Sequence, residues 1–159
     1  MLIREIKESD NAALATMIRE IFIEHGAPTA GTVYSDPTTD NLFELFKQPK
    51  SVLWVAETED GIAGCSGIFP TEGLPEHCAE LVKVYVSQQA RGTGIGKILM
   101  QKSIASAVEL GYTQLYLESI SAFSKAVSIY EKLGFYNLEQ PYINSVHNGC
   151  NIWMLKDLD

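Results

Sequence analysis

The sequence predicts a mixed α/β (α+β) fold: one domain over residues 1–159, with a central sheet of about seven strands flanked by about four helices. Three observations carry this. The hydrophobic pattern reads in the order β-α-α-β-β-β-α-β-α-β-β. Strands alternate with helices in the second half, which requires parallel pairing there, while tight turns elsewhere join antiparallel neighbours. The chain is also long enough to bury one substantial core, with 46 % hydrophobic residues.

Residues 1–6 alternate apolar and charged side chains as a strand does. Ser9-Asp10 then offers an N-cap, and Leu14, Met17, Ile18, Ile21 and Phe22 follow at helical spacing until Gly26. Residues 26–40 turn to Gly, Pro, Thr, Ser and Asp, which predicts a long loop of the kind that forms a binding lid. A short helix is expected over residues 40–46. Residues 51–57 and 62–69 read as strands joined through Glu59-Asp60-Gly61, hence a hairpin. After a loop with two prolines, residues 80–86 form a β-prone run. Ile95, Leu99, Ser103, Ala107 and Leu110 share one stripe of a helix that stops at Gly111. Residues 115–117 are a strand, 122–133 a helix stopped by Gly134, and 135–138 with 150–155 a closing strand pair. Trp54 and Trp153 fall in strands, where core packing is expected.

Twenty acidic against twelve basic residues give a net charge of −8. Such a body repels phosphate backbones and has no basic cluster to offset this, so no nucleic-acid partner is expected, and an amine suits the field better. No apolar run approaches the roughly 18 to 20 residues of a membrane span. The N-terminus lacks a signal-peptide core, which points to the cytoplasm. Cys65, Cys78 and Cys150 show no metal-ligand spacing and read as buried free thiols. His25 and His77 sit in Gly/Pro-rich loops without ligand partners, so no metal is expected.

The run Arg91-Gly92-Thr93-Gly94-Ile95-Gly96 lies between a strand and a helix. Glycines let the backbone approach a bulky anion and adopt positive φ, and the helix start offers free N–H groups and a positive dipole end. Arg91 and Lys97 add positive charge. A pyrophosphate ligand is the direct inference. The spacing is GxGxG after the fourth predicted strand, which disfavours the dinucleotide fingerprint and a nucleotide-dependent oxidoreductase; the phosphate loop ending in Gly-Lys-Ser/Thr is absent.

The run Arg91-x-x-Gly94-x-Gly96 resembles the (Q/R)-x-x-G-x-(G/A) signature of the GNAT superfamily of N-acetyltransferases. Ala126-x-x-x-Tyr130-Glu131-Lys132-Leu133-Gly134-Phe135 is similar to the second signature of that family. The resemblance implies acetyl-CoA as co-substrate, with its pyrophosphate on Arg91, Gly92, Thr93, Gly94, Ile95, Gly96 and Lys97. It implies that the pantetheine arm pairs with the strand carrying Val84, Tyr85 and Val86, and that the Val84 amide donates to the thioester oxygen. Tyr130 matches the family general acid, with aromatic packing as its alternative. Glu80 stands where members place a general base, with a solvated strand-end carboxylate as its alternative. Alternation puts Glu80, Val82, Val84 and Val86 on one face unless a bulge intervenes.

Many members carry an asparagine seven residues before the tyrosine. Phe123 stands there instead, and Ser121 or Ser124 is left to take its place. Tyr34 and Asp36 fall in the region that forms the family's acceptor pocket. Glu118 either lines the cleft or caps its strand, and His147 is either a substrate contact or a surface-loop residue. The expected activity is one-step acetyl transfer to a primary amine of a small molecule or peptide, with a homodimer as the common family state. The competing expectation is a non-catalytic acyl-CoA-binding module of the same fold.

Overall fold

The computed structural model describes residues 1–143 and 149–159. Its strands are β1 (Leu2–Glu5), β2 (Val52–Thr58), β3 (Gly61–Phe69), β4 (Cys78–Val86), β5 (Gln114–Ser119), β6 (Tyr136–Asn137) and β7 (Ile152–Asp157). The helices are α1 (Asn11–Glu24), α2 (Leu42–Leu45), α3 (Ile95–Glu109) and α4 (Ser124–Lys132). Among the described residues the strands form one sheet in the order β1-β2-β3-β4-β5-β7-β6. Among the described strands only β4 and β5 run parallel, joined by the α3 crossover that parallel neighbours require. No helix among the described residues is long and apolar enough to cross a membrane.

The element order is the expected one, with shifts at the ends. The predicted helix over 122–133 begins at Ser124, because Ser121–Phe123 forms a 3-10 turn first. The predicted strand over 135–138 keeps only Tyr136–Asn137, against Leu155 and Met154 of β7. The loop of residues 26–40 is more ordered than its composition suggests, with 3-10 turns at Val33–Ser35 and Pro37–Asn41. Thr32 and Thr39 are buried, and Arg19 of α1 forks onto Asp40 at 2.6 and 3.1 Å. The segment is fastened to α1 by polar side chains, which the composition rule reads as loop.

Two apolar layers enclose the sheet. One face packs Leu53, Val55 and Cys65 against Leu14, Ile18 and Phe22 of α1 and Leu42 of α2. The other packs Ile68, Leu81, Leu115 and Leu117 against Met100 and Ala107 of α3 and Tyr130 of α4. Each fully buried Leu or Ile contributes about 1.5–3 kcal/mol relative to exposure.

Two irregularities shape the middle of the sheet. β4 pairs with β5 only from Cys78 to Glu80, opposite Gln114 to Tyr116, and beyond Glu80 that edge of β4 has no partner strand among the described residues. In the β3–β4 ladder Gly67 faces Val82 whereas Cys65 faces Tyr85, so Ser66 alone opposes both Lys83 and Val84. This is a β-bulge, and Lys83 takes a φ of 56° within it. On its other side Gly67 allows a tight approach of β2, since a Cβ there would lie 2.4 Å from the Val52 carbonyl oxygen.

Candidate active site

The bulge corrects the alternation expected from sequence. Val82 and Tyr85 pack toward α1, while Leu81 and Val84 pack toward α3 and α4. Val84 therefore does not share the Glu80 face; the extra residue in β4 reverses the alternation after Val82. Tyr85 takes that face, in aromatic contact with Phe22 at 6.0 Å and Phe123 at 6.4 Å. Val86 lies against the turn, where a Cβ on Gly96 would come 3.2 Å from its Cγ2.

The glycine-rich turn has the geometry of an anion cradle. Gly92 and Gly94 adopt φ of 78° and 85°, and a Cβ at either would meet nothing within 4 Å. The glycines are thus required by backbone conformation and leave the approach open. Gly94 is the N-cap of α3 and supplies no side-chain cap. The first helical bond runs from the Ile98 amide to the Gly94 carbonyl at 3.1 Å, and the Ile95, Gly96 and Lys97 amides have no protein partner among the described residues. Three N–H groups and the positive end of a helix thus face an open approach, which suits a diphosphate. Lys97 is exposed at the helix start. Thr93 is exposed, its hydroxyl donating to the Ala90 carbonyl within the turn.

Arg91 is engaged elsewhere. Its guanidinium donates to both carboxylate oxygens of Glu24 on α1 and, at 3.4 Å, to the Val86 carbonyl. The fork fastens the turn to α1 and holds the Glu24 carboxyl below its ordinary range.

A cavity of about 660 Å³ opens on the α1 face of β4, lined by Asp36, Phe46, Phe69, Thr71, Glu80 and Lys83 among others. Glu80 is the last residue of β4 paired to β5, so its carboxyl sits where the two strands part. Burial pushes its pKa up to about 7, opposed by a 2.6 Å bond from the Thr71 hydroxyl and by Lys83, and reinforced by Glu118. That value suits proton transfer near neutral pH.

Tyr130 of α4 is buried beside Phe135, at 5.9 Å between ring centroids, and its hydroxyl has no hydrogen-bond partner among the described residues. Burial raises its pKa well above the usual tyrosine value, which keeps the phenol protonated.

Asp36 lines the cavity and caps the Pro37–Asn41 turn, accepting from the Thr38 amide at 2.9 Å. Tyr34 packs instead on α1, against Phe22 at 6.1 Å and under the Arg19 guanidinium at 5.9 Å. Glu118 accepts from the Tyr116 hydroxyl at 2.8 Å through one oxygen; its other oxygen is buried without a hydrogen-bond partner among the described residues. Ser124 is exposed at the first turn of α4. Phe123 meets Phe22 edge-on at 5.2 Å and His25 at 5.3 Å, so the residue replacing the family asparagine ties the start of α4 to α1. His147 lies outside the described residues. Burial raises the thiols of Cys65 to about 12, Cys78 to about 11 and Cys150 to about 12, which leaves none activated as a nucleophile.

Thr71 and Lys83 were not expected from sequence. Thr71 sits in a proline-bounded loop with no pattern of its own. Lys83 left one signal, a lone charge inside the apolar run Leu81–Val86.

Comparison with known proteins gives a consistent result. Residues 15–135 match the acetyltransferase (GNAT) family. An uncharacterized N-acetyltransferase of Escherichia coli, YjgM, is 32 % identical over 158 residues, covering 99 % of this chain and 95 % of its own. A GNAT-family acetyltransferase from Staphylococcus aureus shares the fold with a TM-score of 0.85 at 22 % identity, covering 99 % of both chains. YncA of Salmonella typhimurium, described as a putative acetyltransferase with its cofactor acetyl-CoA, superposes with a TM-score of 0.79 at 20 % identity, covering 100 % of this chain and 94 % of that one. The matched span, the relative of nearly equal length and the shared fold place the chain in the acetyltransferase (GNAT) family, the acetyl-CoA-dependent N-acetyltransferases.

Proposed function

We propose that the chain transfers an acetyl group from acetyl-CoA to a primary amine of a small molecule or peptide, by direct attack within a ternary complex. The observation that carries this reading is Glu80, a carboxyl raised to about 7 at the point where β4 and β5 part, inside a cavity beside the unpaired edge of β4.

The amides of Ile95, Gly96 and Lys97 would hold the diphosphate, with Gly92 to Gly94 forming the cradle. The unpaired β4 edge at Val84, Tyr85 and Val86 would accept the pantetheine arm as an added strand. Acetyl-CoA, when bound, supplies an activated acetyl group on a thioester. Glu80 takes a proton from the acceptor ammonium, directly or through one water, and so makes its nitrogen nucleophilic. The Tyr130 hydroxyl holds a proton for the departing sulfur. No thiol is activated to carry the acetyl group, which supports a one-step transfer.

The test is release of free CoA thiol on incubation with acetyl-CoA and a panel of primary amines. Amine-dependent release is expected. Tight CoA binding with no release for any amine contradicts the reading and favours a non-catalytic acyl-CoA-binding module.

A further inference from the structure

Lys83 is in an unusual position for a lysine. It sits at the β4 bulge with a left-handed φ of 56°, a strained conformation for a non-glycine residue that persists where surrounding structure enforces it. Its backbone is held there, the carbonyl accepting from the Cys65 thiol at 3.0 Å. Its side chain lines the acceptor cavity, and the residue is only 8 % exposed. Among the described residues its ammonium donates no hydrogen bond and has no carboxylate within 4.0 Å. The nearby carboxyl of Glu80 instead accepts from Thr71. Burial lowers the Lys83 pKa, opposed by the negative charge of Asp36 and Glu80, which line the same cavity without a direct bond to the ammonium. A carboxylate seated in the cavity would give the ammonium a direct hydrogen-bond acceptor, which neither Asp36 nor Glu80 provides.

We propose that Lys83 is the anion subsite of the acceptor cavity, so that the acceptor is a primary amine that also carries a carboxylate, of the amino-acid class. The inference rests on the acetyl-transfer reading. In it, Glu80 faces the ammonium end of a zwitterion and Lys83 the carboxylate end. Phe46, Phe69 and Val82 remain as an apolar wall for the rest of the molecule. Each charged end thus meets a group of opposite sign already buried in the cavity.

The experiment compares L-amino acids with their carboxamides as acceptors, and N-acetyl-amino acids with their amides as ligands of the CoA-loaded protein. Wild type, Lys83→Met and Lys83→Arg are measured, with CoA affinity as the check on folding. Wild type should prefer at least one carboxylate over its amide about tenfold or more in kcat/KM and in product affinity. That preference should fall toward one in Lys83→Met and survive in Lys83→Arg. Turnover of amides with no carboxylate preference overturns the inference and leaves acetyl transfer standing. No turnover with any amine, alongside Lys83-dependent binding of N-acetyl-amino acids, overturns acetyl transfer and leaves the subsite standing. Absence of carboxylate preference in both assays, or its survival in Lys83→Met, overturns the subsite.

Discussion

The Thr71 hydroxyl donates to Glu80 at 2.6 Å, joining the loop after β3 to the carboxyl at the point where β4 and β5 part. The bond favours the charged form of Glu80 against the burial that raises its pKa. In Thr71→Val that support is lost and the carboxyl binds its proton more tightly. The acidic limb of the kcat/KM profile should move upward from near 7 by about half a unit to one unit, with the plateau at high pH largely kept. A limb that stays in place would separate Thr71 from the titration of Glu80.

The buried Tyr130 hydroxyl stays protonated across the neutral range, as a proton donor must. Tyr130→Phe keeps the ring among Phe135 and its neighbours and removes only the phenolic oxygen. Turnover should fall about tenfold to a hundredfold, with CoA affinity within about twofold of wild type. Unchanged turnover would leave Tyr130 as packing alone.

At the glycine-rich turn, Gly94 combines a φ of 85° with open space and free helix-start amides. Gly94→Glu places both strain and a negative charge at the proposed diphosphate site. CoA affinity measured by calorimetry should fall at least a hundredfold while the folded state persists, because a Cβ here meets no protein atom within 4 Å. Retained affinity would move the diphosphate elsewhere.

Phe123 stands where many members of the family carry a polar residue, and its ring packs edge-on against Phe22 at 5.2 Å. Aromatic pairs contribute about 0.5–1.5 kcal/mol beyond area burial, and half-burial adds to this. Phe123→Asn should therefore lower Tm by about 5 °C in a thermal melt. A Tm within 1 °C of wild type would contradict a packing role.

The fold was legible in the sequence because its helices and strands carry strong periodicity: the stripe from Ile95 to Leu110 became α3, and the 51–69 hairpin appears as β2 and β3. The glycine turn was legible because its demand is on the backbone, which only glycine meets cheaply. The bulge was not, since nothing in Leu81–Val86 marks where a residue is added; it shows only in the register against Cys65 to Gly67 across the ladder. The face of Val84 and the burial of Lys83 followed from that. The pairing of the Arg91 side chain with Glu24 was not legible either, because the partner is distant in sequence on α1.

Glu80 also links activity to stability. Its raised pKa means that the folded state holds a proton which the unfolded chain releases near 4.5. Folding stability should therefore decline as pH rises from about 4.5 to about 7, by on the order of 1–3 kcal/mol. In Glu80→Gln this decline should be absent, and the variant should be the more stable protein at pH 8.

The most direct measurement is the pH dependence of kcat/KM for acetyl transfer, compared between wild type and Glu80→Gln. Wild type should gain activity as pH rises through about 7, where Glu80 loses its proton. Glu80→Gln should lose that limb and about a hundredfold or more of the rate. A variant with the same limb and a rate within about twofold of wild type would contradict the account.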